Sequence, residues 1–204
     1  MAETRINSVL RVVNSALAEV GSPSLTALAD GTPVSDLCDR EYATTRDRVF
    51  YECACNEIVR RIRLANAENT APAFGFAKAF VLPDDFIRLL RFDDPSFRFR
   101  IENGQVLTDQ TSLNMIYVFR NEDVATWGPG LMDAVVLRLA SRLAKPITGS
   151  DDLSFKMFDK SRDSIAELRY QDAQQSPTDY YAGSTWDNSR LGGSVEFRPI
   201  TATE

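Results

Sequence analysis

The chain of 204 residues contains no histidine. That absence removes Ser-His-Asp and Cys-His catalysis, histidine-containing zinc sites and the usual general base at neutral pH. Carboxylate, lysine and tyrosine chemistry remain. Cys53-Ala54-Cys55 is a C-x-C pair, and Cys38 is the third cysteine. Metal or redox work would need more thiols or histidines at defined spacing, so these read as buried or half-buried reduced thiols. Their odd number fits a reducing compartment. Asp84-Asp85, Asp93-Asp94 and Asp151-Asp152 are carboxylate doublets. Two carboxylates about 5–9.5 Å apart in one cleft can hydrolyse glycosides. Each doublet also falls at a turn or helix start, where Asp accepts backbone N–H groups, and capping is the better reading. Gly128-Pro129-Gly130 precedes a helix but lacks the lysine and the preceding apolar strand of a phosphate-binding loop. No catalytic residue, cofactor or metal is expected.

Seven arginines, Arg60, Arg61, Arg63, Arg88, Arg91, Arg98 and Arg100, gather in the middle of the chain. They could touch a phosphate backbone. With 23 Lys and Arg against 29 Asp and Glu, a net charge of −6, the better account is the polar face of a sheet or ion pairs with a neighbour's aspartates. The same balance argues against a dedicated nucleic-acid binder, though not against DNA passing without being gripped.

Helices are expected on both sides of this middle. Ile6, Val9, Leu10, Val13, Ala16, Leu17 and Val20 recur at spacings of three and four, predicting a helix from Glu3 to Val20 that stops at Gly21. Leu25, Leu28 and Asp30-Gly31 form a short, partly buried link. A second helix starts at Thr32-Pro33 and runs to Cys53, with Arg40, Arg46, Asp47 and Arg48 mostly off its apolar face. The short link predicts an antiparallel helical hairpin. A third helix spans Thr126 or Pro129 to Lys145 and is ended by Pro146. A fourth opens at Gly149-Ser150-Asp151-Asp152 and runs to Ala173, lined by Leu153, Phe155, Met157, Phe158, Ile165 and Leu168.

Between the helix pairs the period changes to two. Cys55 to Ala65 alternates, and residues 66–73 read as a loop. Phe74, Phe76 and Phe80 share one face of an expected strand that Leu82-Pro83 stops. Asp84 and Asp85 then cap one helical turn before Phe86 to Phe92 forms the next strand. Phe97, Phe99 and Ile101 alternate with Arg98 and Arg100, and Asn103-Gly104 predicts a tight hairpin into Val106 and Leu107. Leu113, Met115, Tyr117 and Phe119 make a further strand. The expected fold is α+β: a four-helix bundle (1–54 and 126–173), a small antiparallel β-sheet domain (55–125) inserted between helices 2 and 3, and an extended C-terminal arm (174–204). That last segment has no helical period but carries Tyr180, Tyr181, Trp186 and Phe197, more aromatic content than a solvated tail. No apolar run approaches the ~20 residues needed to cross a bilayer. The opening lacks the uninterrupted apolar stretch of a signal peptide, so synthesis in the cytoplasm is expected.

Three stretches carry a family resemblance. They are I-N-S-V-L-R-V-V-N-S-A-L-A-E-V-G-S-P-S-L-T-A-L-A-D-G-T with L-C-D-R-E-Y and R-D-R-V-F after it, A-P-A-F-G-F-A-K-A-F-V-L-P-D-D-F-I-R-L-L-R, and L-M-D-A-V-V-L-R-L-A-S-R-L-A-K-P-I-T-G-S-D-D-L. In this order, over residues 6–172, they resemble the tail tubular protein A family, the head-to-tail adaptors (connectors) of short-tailed bacteriophages. Relatives carry an H-P-W-like segment after helix two, where this chain reads Tyr51-Glu52-Cys53-Ala54-Cys55-Asn56, so no contact is carried over there.

The resemblance implies a non-enzymatic structural virion protein. Its expected partners are a homo-oligomeric ring, a dodecamer in such adaptors, with the portal protein, the tail nozzle protein and passing double-stranded DNA; no membrane is expected. Tyr180, Tyr181, Trp186 and Phe197 are the expected partner contacts, with Arg98 and Arg100 at subunit or nozzle interfaces. The alternatives are a carboxylate-dependent polysaccharide or peptidoglycan hydrolase and a cellular α+β interaction protein.

Overall fold

The computed structural model describes residues 2–64, 72–94 and 96–175. Helix α1 spans Ala2–Glu19 and α2 spans Pro33–Cys53. The Thr32 hydroxyl caps α2, accepting from the Ser35 N–H at 3.2 Å, and Ala54 closes it in the left-handed region at φ 52°. Asn14 pins the link between the two helices. Its amide donates to the Leu25 carbonyl at 3.0 Å, and its oxygen accepts from the Leu25 N–H at 2.8 Å. Leu25 and Leu28 then pack on the core, as their apolar character requires.

Helix α3 (Pro129–Thr148) is central. Leu131, Val135, Leu139 and Leu143 are fully buried, and Ala134, Ala140 and Ala144 allow close approach on its other buried side. Both α1 and α2 make their main helix contacts with α3 rather than with each other. The expected α1–α2 pairing therefore gives way to a shared packing on α3. Pro146 does not end α3 but sits in its last turn; Gly149, at φ 72°, ends it, with its N–H on the Lys145 carbonyl at 2.9 Å. The missing proline N–H frees only the carbonyl of exposed Arg142, near an end where helix carbonyls already meet water.

Helix α4 (Asp151–Gln175) runs antiparallel to α3. The Ser154 hydroxyl donates to the Ser141 carbonyl, the Arg138 Nε to the Ser161 hydroxyl, and Leu168 lies over Gly130, so the pairings run in opposite order. Its buried stripe is Met157, Ser161, Ile165 and Leu168. Phe155 and Phe158, expected to line the helix, fall off that stripe and are exposed. At about 100° per residue, Phe155 points away from Met157.

Among the described residues the six strands are β1 (Val59–Leu64), β2 (Lys78–Val81), β3 (Phe86–Phe92), β4 (Phe99–Glu102), β5 (Gln105–Thr108) and β6 (Leu113–Phe119). They form two antiparallel three-stranded sheets, not one: sheet A in the order β1-β6-β3 and sheet B in the order β2-β5-β4. The fold of the described residues is thus α+β, with four helices and the β region between helices 2 and 3. Asn103 and Gly104 take φ 47° and 71°, the turn expected between β4 and β5, and pair Glu102 with Gln105.

The expected Phe74–Phe80 ladder is shorter than its pattern suggests. Gly75 at φ 90° breaks the extended backbone, β2 begins only at Lys78, and Phe74 is 88% exposed. At the other end, Cys55 precedes a 3-10 turn over Asn56–Ile58, so β1 starts at Val59. Asp84-Asp85 caps no helix; it forms a turn closed by the Phe86 N–H on the Pro83 carbonyl at 3.0 Å.

Residues 1–172 form one compact unit with two hydrophobic centres. The first joins all four helices with Ile58, Val118 and Trp127, whose ring meets Phe50 edge-on at 5.4 Å. The second joins the inner side of sheet A, including Leu64, Met115, Tyr117 and Phe92, with Phe80 and Val106 of sheet B. The remaining unit is residues 173–204, described only to the end of α4. The expected arm contacts Tyr180, Tyr181, Trp186 and Phe197 lie outside the described residues.

Candidate interaction surfaces

Helices α2, α3 and α4 enclose a groove of about 770 Å³. Its floor is built by Arg138, whose position three residues past Val135 places it on the buried stripe of α3. The side chain is 8% exposed. It is held by Glu52 at 2.7 Å, by the Ser161 hydroxyl at 3.0 Å and by the Phe158 ring 4.5 Å from the guanidinium. Burial lowers its pKa from the ordinary arginine value, with Glu52 opposing. Glu52 also accepts from Arg48 at 2.6 Å, and Glu41 pairs with Arg142 at 3.1 Å on the rim. Exposed Phe155 stands beside these charges. Guanidinium groups next to uncovered phenylalanines are the composition of a protein-contact patch. The alternation of types alone did not reveal it. The signal was an arginine and two phenylalanines at helical spacings that exchange sides of the expected apolar stripe.

A second uncovered surface is β4, exposed at all four positions, Phe99 and Ile101 included. Phe99 leans on Phe92 with ring centres 4.7 Å apart, and Phe97 completes the cluster. The two expected arginines sit here, but each already has a partner within the chain. Arg98 donates to the Gly75 carbonyl at 2.7 Å and to Asp109 at 3.1 Å, and its guanidinium lies 4.7 Å from the Phe76 ring centre. Arg100 pairs with Glu102 at 3.3 Å. Both remain exposed, and pairs of this kind contribute little stability, so either could be exchanged for a partner's carboxylate.

The carboxylate doublets separate. Asp94 accepts from Ser96, through both its N–H and its hydroxyl, and these bonds hold its pKa below the ordinary value. Asp151 pairs with Lys145 at 2.8 Å, next to the Ser150 cap of α4. Asp85 accepts from Arg60 at 2.5 Å and from the Tyr117 hydroxyl at 2.9 Å, one bond to each oxygen. Burial, reinforced by Asp85, raises the Tyr117 pKa. Asp84, Asp85, Glu122 and Asp123 share a cleft of about 430 Å³ with Arg60 and Arg120. Arg60 and Tyr117 thus engage both oxygens of Asp85.

Arg46, expected off the apolar face of α2, is buried between Tyr42 and Asp47, the latter at 2.8 Å. It is tolerated there because Asp47 satisfies its charge. All three cysteines are free and buried. Burial pushes the Cys38 thiol up to about 11, which makes it a poor nucleophile. Cys53 and Cys55 hydrogen-bond to each other, lowering the pKa of Cys53 and raising that of Cys55. Among the described residues no group of three or more Cys, Asp or Glu could hold a metal ion. No helix among them is long and apolar enough to cross a membrane. Neither a family model nor a curated protein matches this chain.

Proposed function

We propose that this chain is the structural subunit of a head-to-tail adaptor. In this reading it is made in the host cytoplasm and assembles into a ring between portal and tail nozzle, with DNA passing through the channel. One observation carries the reading beyond resemblance. The folded unit leaves two unlike surfaces uncovered: the arginine–phenylalanine groove of α2, α3 and α4, and the Phe99–Ile101 strand of sheet B. An isolated enzyme needs one cleft. A ring subunit needs different surfaces for its neighbours and for the rings above and below. The acidic balance of the chain also suits a channel that DNA slides through without adhering.

Co-sedimentation with purified portal tests the reading. The full chain is expected to travel with portal particles and to add a ring at one end in electron micrographs. Phe155→Ser/Phe158→Ser and a chain ended at Gln174 are expected to weaken that binding, because each removes a proposed contact. Full binding by both altered chains would move the portal contact elsewhere. Absence of binding by the unaltered chain would overturn the adaptor reading.

A further inference from the structure

Sheet A carries basic side chains on one side, and an acidic cleft lies at its Phe119 end. Along β1, successive side chains alternate, so Arg60 points to one side and Arg61 and Arg63 to the other. The register fixes the company of the second side. Arg61 of β1 and Arg91 of β3 both stand opposite Ile116 of β6, and Arg63 stands opposite Asn114. With strands about 4.8 Å apart, Arg61 and Arg91 flank Ile116 at roughly 10 Å. The Val118 end of this side is covered by the helical core, whereas Arg61, Arg63 and Arg91 are exposed around half-buried Ile116. Among the described residues, Arg61 and Arg63 have no carboxylate partner. Asp93 stands on this side too, its carboxylate accepting from the Asn114 amide at 3.3 Å, so three guanidinium groups against that carboxylate leave a basic surface with an apolar centre on a chain of net charge −6.

The other side ends in the cleft at Phe119. Its two arginines are spoken for: Arg60 by Asp85 at 2.5 Å and Arg120 by Asp47 at 2.9 Å. Asp84, Glu122 and Asp123 are exposed on its rim. Glu122 has only a 3.8 Å approach to Arg46. One subunit therefore offers a basic face on sheet A and a separate acidic rim at the Phe119 end of that sheet.

Resting on the ring reading, we infer that the Arg61–Arg63–Arg91 face of one subunit docks on the Asp84–Glu122–Asp123 rim of the next copy. A twofold dimer through either surface would set like charges against each other. A head-to-tail contact pairs opposite charges every time, and such contacts close into a ring when the rotation permits. Ile116 supplies the apolar centre that a charged rim surrounds.

The test uses full-length chains in light scattering and sedimentation at low and high salt. Association of the unaltered chain is expected to weaken as salt rises. Arg61→Glu/Arg63→Glu and, separately, Asp84→Lys/Glu122→Lys are each expected to weaken self-association at least tenfold. Their equimolar mixture is expected to associate again, since each restores the other's missing partner and the remaining interface is charge-swapped. Arg61→Ala/Arg63→Ala, which adds no new charge, provides the same reading if a reversal disturbs folding.

Ring formation by both reversed variants at unaltered strength would overturn this contact while leaving the ring reading intact. So would loss of duplex DNA binding in Arg61→Glu/Arg63→Glu with assembly unchanged, which would assign the face to phosphate instead. An unaltered chain that stays monomeric alone and with portal would overturn the ring reading, and this contact with it.

Discussion

Replacing Arg138 with Met should cost about 2 kcal/mol of folding stability. Stripping one member from a fully buried ion pair costs about 3–5 kcal/mol, because a charge is left without water or partner. Here the remaining carboxylate is better provided for. Glu52 keeps Arg48 at 2.6 Å and is 23% exposed, so much of that penalty is relieved. The Ser161 hydroxyl, fully buried, loses its donor, a cost of about 1 kcal/mol. The contact between the guanidinium and Phe158 accounts for roughly another 0.5–1 kcal/mol. Methionine retains most of the packing of the arginine stem. Glu52→Gln is the harsher partner change, at about 2–3 kcal/mol, since Arg138 cannot give up its proton. The double variant should lose about 1–2 kcal/mol less than the two single losses added. Urea unfolding at equal slope measures all three, and added salt should change them little because the Arg138 side chain is only 8% exposed. A loss under about 0.5 kcal/mol for Arg138→Met, or strict additivity in the double variant, would refute the account of the groove floor.

Other parts of the molecule can be tested in the same unfolding assay. Gly128→Ala should cost about 1–2 kcal/mol, because a Cβ there would clash with Glu57 Oε1 and displace the carboxylate that accepts the Gly128 N–H at 2.7 Å. Thr45→Val should be neutral or stabilising by up to about 1 kcal/mol, since the buried Thr45 hydroxyl has no hydrogen-bond partner among the described residues. Asp109→Asn should weaken the fold at neutral pH and converge with the unaltered chain in strong acid. The Ala77 N–H, then Arg98, holds the Asp109 pKa below its ordinary 3.8. Its contribution is therefore complete above that value and lost as pH falls through the lower folded value. Equal pH profiles for the two chains would contradict this.

The sequence made the fold legible wherever one local signal faced no competitor. Asn103-Gly104 needs two left-handed residues, and both are present. Thr32-Pro33 and the apolar period of α2 left one start and one stop. Failures came where two signals met. Pro146 signals a helix end, but Gly149 three residues later supplies a better one. The Phe74–Phe80 alternation signals one strand, and Gly75 at φ 90° breaks it.

Side-chain roles were less legible than elements. Arg46 and Arg138 both lie on buried helical stripes, although the charge of Arg46 points to the surface. Only the partners Asp47 and Glu52, the latter 86 residues from Arg138, explain their burial. The two-sided character of sheet A follows from strict alternation in β1, but it required the pairing of β1 and β3 through β6 to bring Arg61 and Arg91 onto one face.

The adaptor reading is tested most directly by the solution mass of the purified chain, measured by light scattering alone and then with portal particles. The account predicts a ring-sized species in at least one condition, about 270 kDa for twelve chains of 22.8 kDa. Its appearance only with portal would mean that the portal templates assembly. A 22.8 kDa monomer in both conditions, with no mass added to the portal, would contradict the central claim.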